Sequence, residues 1–423
     1  MNILLFIMIL ILYGTYVYNK GNNFISFFWL IAYSFAFLLP IYLDVFDNFG
    51  YILSNNIYDR LNWYYLIGLI TFVFVNFITH FLNKNKSENI DRCITLLNVK
   101  KIIKIYILIT IIITIFLGTE VMMKGTSALL HIHPIITMLL PSTIYGAIFT
   151  SGLMFILSDT KRDKNISLFI FICMIFFGLT FTFGRRIVIF PVISLFILYF
   201  IKRNKKPKLI YIVGSVIIGI VFILPLMMSI RTFGLVNALP KLIEMYTTNK
   251  HLLDEFIAMS TDVNAEYSLA ALIIAIDLRT TPLILLKPIL MFIPRSIWPD
   301  KPFPLSEYLV KNLQLSDIEH MSIPPGIIGE SYTYFGIIGI IVMGIFWGGI
   351  TGIFDKGIYF IKKNNENYIS IKSIMITTFG VQFITGAIRG DTATTIQESM
   401  YLFIPFLILL IISRYKFTVG GKV

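Results

Sequence analysis

Residues 335–355 read FGIIGIIVMGIFWGGITGIFD, and this stretch decides the fold class. No charged side chain occurs in it before Asp355. A helix crosses a hydrocarbon core of about 30 Å with about 20 residues, at about 1.5 Å per residue. The stretch therefore predicts a transmembrane helix. Gly344, Gly348 and Gly352, spaced by four, predict close packing against a neighbouring helix.

Ten further apolar stretches of this kind occur along the chain, and 57% of the 423 residues are hydrophobic while only 14% are charged. This composition excludes a water-soluble globular protein. The expected fold class is all-α and polytopic, with about 11 transmembrane helices (10 to 12) in a single integral membrane domain over 1–423. The predicted spans are 2–18, 24–43, 61–82, 102–118, 135–157, 166–183, 187–201, 209–228, 335–355, 370–389 and 396–413.

Lysines set the predicted topology. Assigning alternate connections to the cytoplasm places 18 of the 24 lysines there, as the positive-inside rule requires. The N-terminus is then outside and the C-terminus is cytoplasmic. No basic residue precedes the first apolar run and no small-residue cleavage site follows it, so we expect a retained helix. The net charge of +12 follows from this topology and indicates the lipid bilayer, not nucleic acid, as a partner.

Arginine follows a different distribution, because seven of the eleven arginines fall on the predicted outer side. They are Arg60, Arg185, Arg186, Arg231, Arg279, Arg295 and Arg389. The planar guanidinium makes two charge-assisted hydrogen bonds to a phosphate and stays charged when partly desolvated. We therefore predict that outer arginines bind an anionic lipid headgroup such as a pyrophosphate.

Two of these positions leave simpler interpretations open. Arg185 and Arg186 form a short connection expected at phosphate depth, where long basic side chains also snorkel to the interface. Arg389 shares a predicted helix face with Gln382 and Thr385, which is typical of a wet cavity. Alternatively, Arg389 forms a structural ion pair with the nearby Asp391.

The long segment 229–334 is predicted to form an external subdomain. Its first part, 239–258, has the pattern of an amphipathic helix. The stretch 269–294 is apolar, but it is interrupted by Asp277, Arg279, Pro282, Lys287 and Pro288. We favour two half-helices that dip into the membrane and return. An extra span here is the alternative, and it would invert the topology of everything that follows.

A resemblance to a known family covers about the last 200 residues. It is carried by the run PRSIWPDKP at 294–302, by Gly329-Glu330, and by Tyr334-Phe335-Gly336 at the start of the glycine-rich span. With the long outer loop before the final spans and Arg389 near the end, these motifs resemble the Wzy-type O-antigen and capsule repeat-unit polymerases. That family shares its layout with the O-antigen ligases.

The resemblance implies a GT-C-like membrane glycosyltransferase in the bacterial inner membrane, with its active site facing the periplasm or exterior. The implied donor and acceptor are undecaprenyl-pyrophosphate-linked oligosaccharides in lipopolysaccharide or capsule biosynthesis. Growing glycan passes from its lipid carrier to the next lipid-linked repeat unit. A chain-length regulator is a further partner that the resemblance implies.

Site residues follow from these considerations. We expect catalysis from Glu330, His320, Arg295 and Arg389. We expect pyrophosphate or glycan binding from Arg185, Arg186, Arg231, Arg279, Lys301, Tyr334 and Asp391. The acceptor hydroxyl needs a carboxylate or histidine within hydrogen-bond reach, which suits Glu330 and His320. Glu330 has an alternative role as a carboxylate that satisfies backbone amides at a helix N-terminus, and His320 as part of a solvated turn.

No cofactor and no metal are expected, because cationic donors stabilise a pyrophosphate leaving group and His131 and His133 lack a third ligand nearby. Two competing functions stay open. One is an O-antigen ligase-type glycosyltransferase. The other is a lipid-linked oligosaccharide flippase or another secondary transporter, for which two related halves are expected. The chain shows no evident repeat.

Overall fold

The computed structural model is all-α, with helices forming 89% of it. It describes residues 2–20, 23–43, 53–82, 93–124, 134–181, 185–203, 207–248, 263–290, 298, 302–315, 322–361, 368–401, 408 and 411. Clustering of close residues divides the chain into two compact units. The first unit comprises Met1–Lys86, Thr261–Lys356 and Phe379–Ser399, and the second comprises Ser87–Ser260, Gly357–Thr378 and Met400–Val423.

Seven helices within the described residues are long and apolar enough to cross a membrane. They are Asn2–Lys20, Phe24–Leu43, Asn55–Phe81, Leu140–Leu157, Lys161–Phe181, Gly326–Gly357 and Ile371–Arg389. Each overlaps a span predicted from the sequence, so the expectation of an all-α membrane protein holds for these segments.

The other four predicted spans do not reach that length and apolarity in the described residues. Span 102–118 lies in the helix Leu96–Lys124. Span 187–201 lies in the helix Arg185–Arg203, which has two basic residues at each end. Span 209–228 is interrupted by a π-helical turn at Gly219–Ile223. Most of 396–413 lies outside the described residues. The count of about 11 spans stays a prediction.

The first unit begins with three long helices and continues with shorter ones after residue 261. Its elements are α1 (Asn2–Lys20), α2 (Phe24–Leu43), α3 (Asn55–Leu82), α10 (Val263–Ala275), a 3₁₀ turn (Pro282–Leu286), α11 (Lys287–Leu290), α12 (Leu305–Asn312), most of α13 (Gly326–Ile361), the second half of α14 (Ile371–Arg389) and most of α15 (Thr392–Tyr401). Stacked aromatic rings fill its core: the ring centres of Trp29 and Phe72 are 3.6 Å apart, and those of Trp29 and Tyr33 are 4.5 Å apart.

The glycines of the 335–355 stretch bring α13 close to α3, as their spacing predicts. A methyl group on Gly348 would stand 2.6 Å from the backbone oxygen of Phe72, which is closer than real contacts allow. Gly344 lies against Thr71 in the same way, and Gly352 against Thr79. Side chains at these three positions would force the two helices apart.

A buried polar network also ties α3 to its neighbours. The Asn76 amide donates to the Ser26 hydroxyl at 2.9 Å, to the Gly348 carbonyl at 3.0 Å and to the Thr351 hydroxyl at 2.9 Å. Its oxygen accepts a hydrogen bond from the Tyr13 hydroxyl at 2.6 Å. Buried polar groups need such partners in an apolar interior, so one side chain links four helices of the first unit.

The second unit contains a short antiparallel ribbon and the remaining helices. Its elements are β1 (Cys93–Thr95), α4 (Leu96–Lys124), α5 (Pro134–Leu157), α6 (Lys161–Phe181), α7 (Arg185–Arg203), α8 (Leu209–Ile218), α9 (Leu224–Thr248) and β2 (Tyr368–Ser370). Cys93 pairs with Ser370, and Thr95 with Tyr368. Helix α5 lies at the centre of this unit, because 83% of its candidate span is buried.

The external subdomain 229–334 stays a prediction. Residues up to 260 group with the second unit, and those from 261 onward group with the first. Helix α9 runs to Thr248, so the part of 239–258 that the structure describes is helical as predicted. The stretch 269–294 is broken as predicted: α10 ends at Ala275, and the 3₁₀ turn and α11 follow.

Candidate active site

Glu330 lies in the second turn of α13, in the first unit, and only 5% of it is exposed. The turn-rich sequence Pro324-Pro325-Gly326 leads into this helix, and Gly326 has a φ of 68°. The Glu330 carboxylate accepts the backbone N–H of Thr392 at 3.0 Å and the Thr392 hydroxyl at 2.7 Å. The alternative role of Glu330 is to satisfy backbone amides at a helix N-terminus. The contact with Thr392 is of this kind. That amide belongs to α15 and not to the helix of Glu330.

Asp391 precedes α15 and is also buried. One of its oxygens accepts the backbone N–H of Thr394 at 3.2 Å, the usual geometry of an N-cap aspartate. The other oxygen accepts the Ser306 hydroxyl of α12 at 2.5 Å. Glu330 and Asp391 are near enough for the charge of one to act on the other. Two carboxylates thus meet around the first turn of α15.

Arg389 ends α14, and its ion pair differs from the structural pair with Asp391 that the sequence left open. Among the described residues it pairs with Glu266 of α10, where the Arg389 Nε donates to a carboxylate oxygen at 3.0 Å. The Arg389 side chain is 30% exposed and that of Glu266 is 4% exposed. Gly390 separates Arg389 from Asp391 with a φ of 75°, and Asp391 is occupied by Ser306 and Thr394.

Two glycines allow close contact between the beginning of α10, the beginning of α13 and the end of α14. A side chain on Gly390 would collide with the backbone of Gly326. A side chain on Gly326 would in turn contact the backbone oxygen of Glu266 at 3.5 Å. Both glycines adopt positive φ angles that favour glycine. The beginning of α10, the beginning of α13 and the end of α14 therefore cross backbone to backbone.

Tyr334 follows Glu330 by one helical turn. Its hydroxyl is buried and has no hydrogen-bond partner among the described residues. The charges of Glu330 and Asp391 both act on this hydroxyl. The sequence predictions Glu330, Tyr334, Arg389 and Asp391 are thus brought together in one cluster, which we call the Glu330 cluster. Its further members are Glu266, Ser306 and Thr392.

Arg279 lies in the first unit with different partners. Its Nε and Nη2 donate to one Asp277 oxygen at 3.0 and 2.6 Å, and its Nη1 donates to the Tyr332 carbonyl at 2.9 Å. The Tyr332 hydroxyl donates to the same Asp277 oxygen at 2.8 Å. This hydrogen bond, followed by those from Arg279, lowers the pKa of Asp277 below its ordinary value. Arg279 is therefore already paired with a carboxylate.

The remaining predicted site residues lie in the second unit or outside the described residues. Arg185 and Arg186 begin α7, and Arg231 lies in α9, all in the second unit. Arg186 is half-buried. His320, Arg295 and Lys301 lie outside the described residues, as do His131 and His133. No group of three His, Cys, Asp or Glu side chains that could hold a metal ion occurs in the described part of the chain.

Sequence reasoning missed Glu266, Ser306 and Thr392. Glu266 carried a usable signal, because it is a lone carboxylate in the first turn of an apolar helix, and such residues are usually functional or paired. Ser306 and Thr392 gave no signal, since isolated hydroxyl residues occur throughout the chain.

Comparison of the chain with protein-family models, curated proteins and solved structures finds no match. The family resemblance therefore rests on the motifs of the sequence itself, and function has to be argued from the site.

Proposed function

We propose that this chain is a membrane glycosyltransferase of the polysaccharide repeat-unit polymerase type. It transfers growing glycan from undecaprenyl pyrophosphate to the next lipid-linked repeat unit. The observation that carries this proposal is the Glu330 cluster, where two carboxylates meet at the first turn of α15 and a partly exposed arginine lies two residues before Asp391, within a helical membrane protein. The resemblance of Gly329-Glu330 and Tyr334-Phe335-Gly336 to that family supports the same assignment.

The proposed reaction needs two kinds of group. The bond between the sugar C1 and a pyrophosphate oxygen breaks, and the acceptor hydroxyl oxygen forms a new bond to C1. The hydroxyl proton goes to a carboxylate, while the leaving group keeps the bonding electron pair and gains negative charge. A positioned base typically contributes on the order of 10²–10⁴-fold in rate. A cationic donor aimed at the leaving group contributes on the order of 10²-fold or more.

Glu330 is the proposed base. One of its oxygens accepts a hydrogen bond from the Thr392 hydroxyl at 2.7 Å, so the carboxylate is placed to accept from a hydroxyl. A sugar hydroxyl of the acceptor makes the same kind of contact. Asp391 and Tyr334 supply further polar atoms beside it.

Arg389 is the proposed donor to the leaving pyrophosphate. The exposed fraction of its side chain makes it accessible from outside the cluster. Arg279 is less suited to donate to the pyrophosphate, because three of its N–H groups already donate to Asp277 and to the Tyr332 carbonyl. His320, Arg295 and Lys301 keep the roles that the resemblance implies.

The test is glycan length in cells that lack this gene and are complemented with wild type, Glu330→Gln or Arg389→Ala. Glu330→Gln keeps an oxygen that can accept from Thr392, so the fold is preserved while the base is lost. We expect both variants to lose the polymer ladder and to leave single repeats attached to the acceptor. Glu244→Gln and Arg203→Ala, which alter residues of the second unit, are the matched controls and retain the ladder.

Other outcomes would assign a different function. Polymer that accumulates on the lipid carrier without attachment indicates a ligase. Repeats that stay on the cytoplasmic leaflet indicate a flippase. An unchanged ladder in the deletion strain would overturn the proposal.

One observation favours transport as the second candidate. Helix α13 is discontinuous, with a non-helical Gly336 (φ 63°, ψ −141°) near one end of a candidate span. Broken helices of this kind form the substrate sites of many secondary transporters. The fate of the single repeats in the complementation experiment distinguishes the two functions.

A further inference from the structure

Glu266 is the most buried charged member of the Glu330 cluster. Its side chain is 4% exposed, while the side chain of its partner Arg389 is 30% exposed. One carboxylate oxygen accepts a hydrogen bond from the Nε of the guanidinium at 3.0 Å. The pair therefore has an inner acidic end in α10 and an outer basic end in α14.

Stability alone is a weak reason for such a pair. Desolvating two charges offsets most of their attraction, and well-packed apolar residues of similar volume usually serve as well or better. A buried carboxylate is costly without its partner. Its presence at this position is better explained by what it does to Arg389.

The backbone around the pair fixes its geometry. Gly326 lies between the two segments: a methyl group on it would stand 3.5 Å from the Glu266 carbonyl oxygen, and its backbone is where a methyl group on Gly390 would collide. Arg389 is the residue immediately before Gly390. Because backbone meets backbone at this crossing, the position of Arg389 relative to Glu266 is set by the fold rather than by flexible side chains.

A guanidinium anchored at its Nε atom has a restricted orientation, and a catalytic donor needs a defined orientation. We propose that Glu266 is a positioning residue, which orients Arg389 toward the departing pyrophosphate of the lipid-linked donor. Glu266 acts through Arg389 and does not touch the substrate. This inference rests on the proposed function.

The experiment uses purified full-length protein in detergent or nanodiscs, with a lipid-linked repeat unit as both donor and acceptor. Wild type is compared with Glu266→Gln, Glu266→Asp, Arg389→Lys and the charge swap Glu266→Arg/Arg389→Glu. Glu307→Gln is the matched control, because Glu307 pairs with Lys311 at 3.1 Å in the same unit. Thermal unfolding of each variant is measured alongside kcat and KM.

We expect Glu266→Gln to lower kcat about tenfold to a hundredfold with a smaller change in KM, since orientation contributes to the transition state. Glu266→Asp retains the charge and recovers part of the loss. The charge swap recovers thermal stability but not kcat, because the guanidinium then sits on the wrong segment. Glu307→Gln leaves kcat unchanged.

Two results would overturn the inference. One is a Glu266→Gln protein with wild-type kcat while Arg389→Lys is inactive. The other is a charge swap that restores activity together with stability. If Glu266→Gln does not fold, the charge swap and Glu266→Asp still decide the question. If wild-type protein forms no polymer in this assay, the proposed function is wrong, and this result is distinct from any effect of the Glu266 variants.

Discussion

The Arg279 guanidinium donates a hydrogen bond to the backbone carbonyl of Tyr332 at 2.9 Å and lies 4.2 Å from the centre of the Tyr332 ring. This carbonyl belongs to the segment of α13 that ends at Gly336. The next carbonyl, that of Thr333, accepts the backbone N–H of Thr280 at 3.0 Å. A cation at the end of a helical segment offsets its negative partial charge. The loop at 277–280 therefore stabilises the break in α13.

Gly336→Ala should destabilise the protein. The φ of 63° and ψ of −141° suit glycine alone, and a side chain at this position would collide with the Arg279 guanidinium. We expect a loss of about 1–3 kcal/mol for forcing alanine into such a conformation. Thermal unfolding in detergent measures it. Gly349→Ala is the control, because nothing lies within 4 Å of its added methyl group. Equal melting temperatures for the two variants would contradict the prediction.

The Asp277 contacts predict a pH dependence. Its pKa is lowered below the ordinary value of 3.8 by the hydrogen bonds from Tyr332 and Arg279. The resulting stability is fully present above the unfolded pKa, near 3.8, and is lost as pH falls through the lower folded pKa.

Asp277→Asn is the matching variant, since asparagine tolerates the φ of 50° at this position. We expect wild type to melt higher than the variant at neutral pH, and the difference to shrink as pH falls below 3.8. The effect is small because both charged side chains are more than one-third exposed. A difference that grows on acidification would refute the assignment.

The sequence predicted those parts of the site that have a local signature. Glu330 follows a turn-rich run, and Arg389 and Asp391 flank a glycine at the end of an apolar stretch. Their partners lie far away in the chain: Glu266 is 123 residues from Arg389, and Ser306 is 85 residues from Asp391. No periodicity or spacing encodes contacts over such distances, so these partners could only come from the structure.

For the fold as well, the sequence predicted some features and missed others. Apolar length predicted the seven long helices, and glycine spacing predicted the packing of α13 on α3. Hydropathy placed the beginning of that helix at 335, whereas α13 begins at Gly326. The turns before residue 335 carry the polar residues Glu330, Ser331 and Thr333, which lower the hydropathy there. Hydropathy alone therefore placed the beginning of the helix too far along the chain.

Gly390→Ala should be more damaging than Gly336→Ala. Its methyl group would collide with the backbone of Gly326, which has no freedom to move aside as a side chain does. The φ of 75° adds a conformational penalty of about 1–3 kcal/mol. We expect a lower melting temperature than for Gly336→Ala and loss of the Glu266–Arg389 contact. Thermal unfolding in detergent measures the difference, and a melting temperature for Gly390→Ala at or above that of Gly336→Ala would contradict the prediction.

Asn76 offers a test of the polar network in the first unit. Its amide has partners on both atoms, and Asn76→Ala removes the acceptor of the Tyr13 hydroxyl. The Thr351 hydroxyl keeps its hydrogen bond to the Trp347 carbonyl at 2.7 Å. A buried group left unpaired costs about 1–3 kcal/mol. We expect a marked drop in the melting temperature.

Adding Tyr13→Phe removes this unpaired hydroxyl, so the double variant should be more stable than the sum of the two single changes implies. Asn237→Ala is the control, because Asn237 is exposed and its side chain reaches only the Phe233 carbonyl, at 3.4 Å. Strict additivity of Asn76→Ala and Tyr13→Phe would mean that the hydroxyl finds another partner when the amide is gone. In that case, helix packing through Gly344, Gly348 and Gly352 would be what joins α3 to α13.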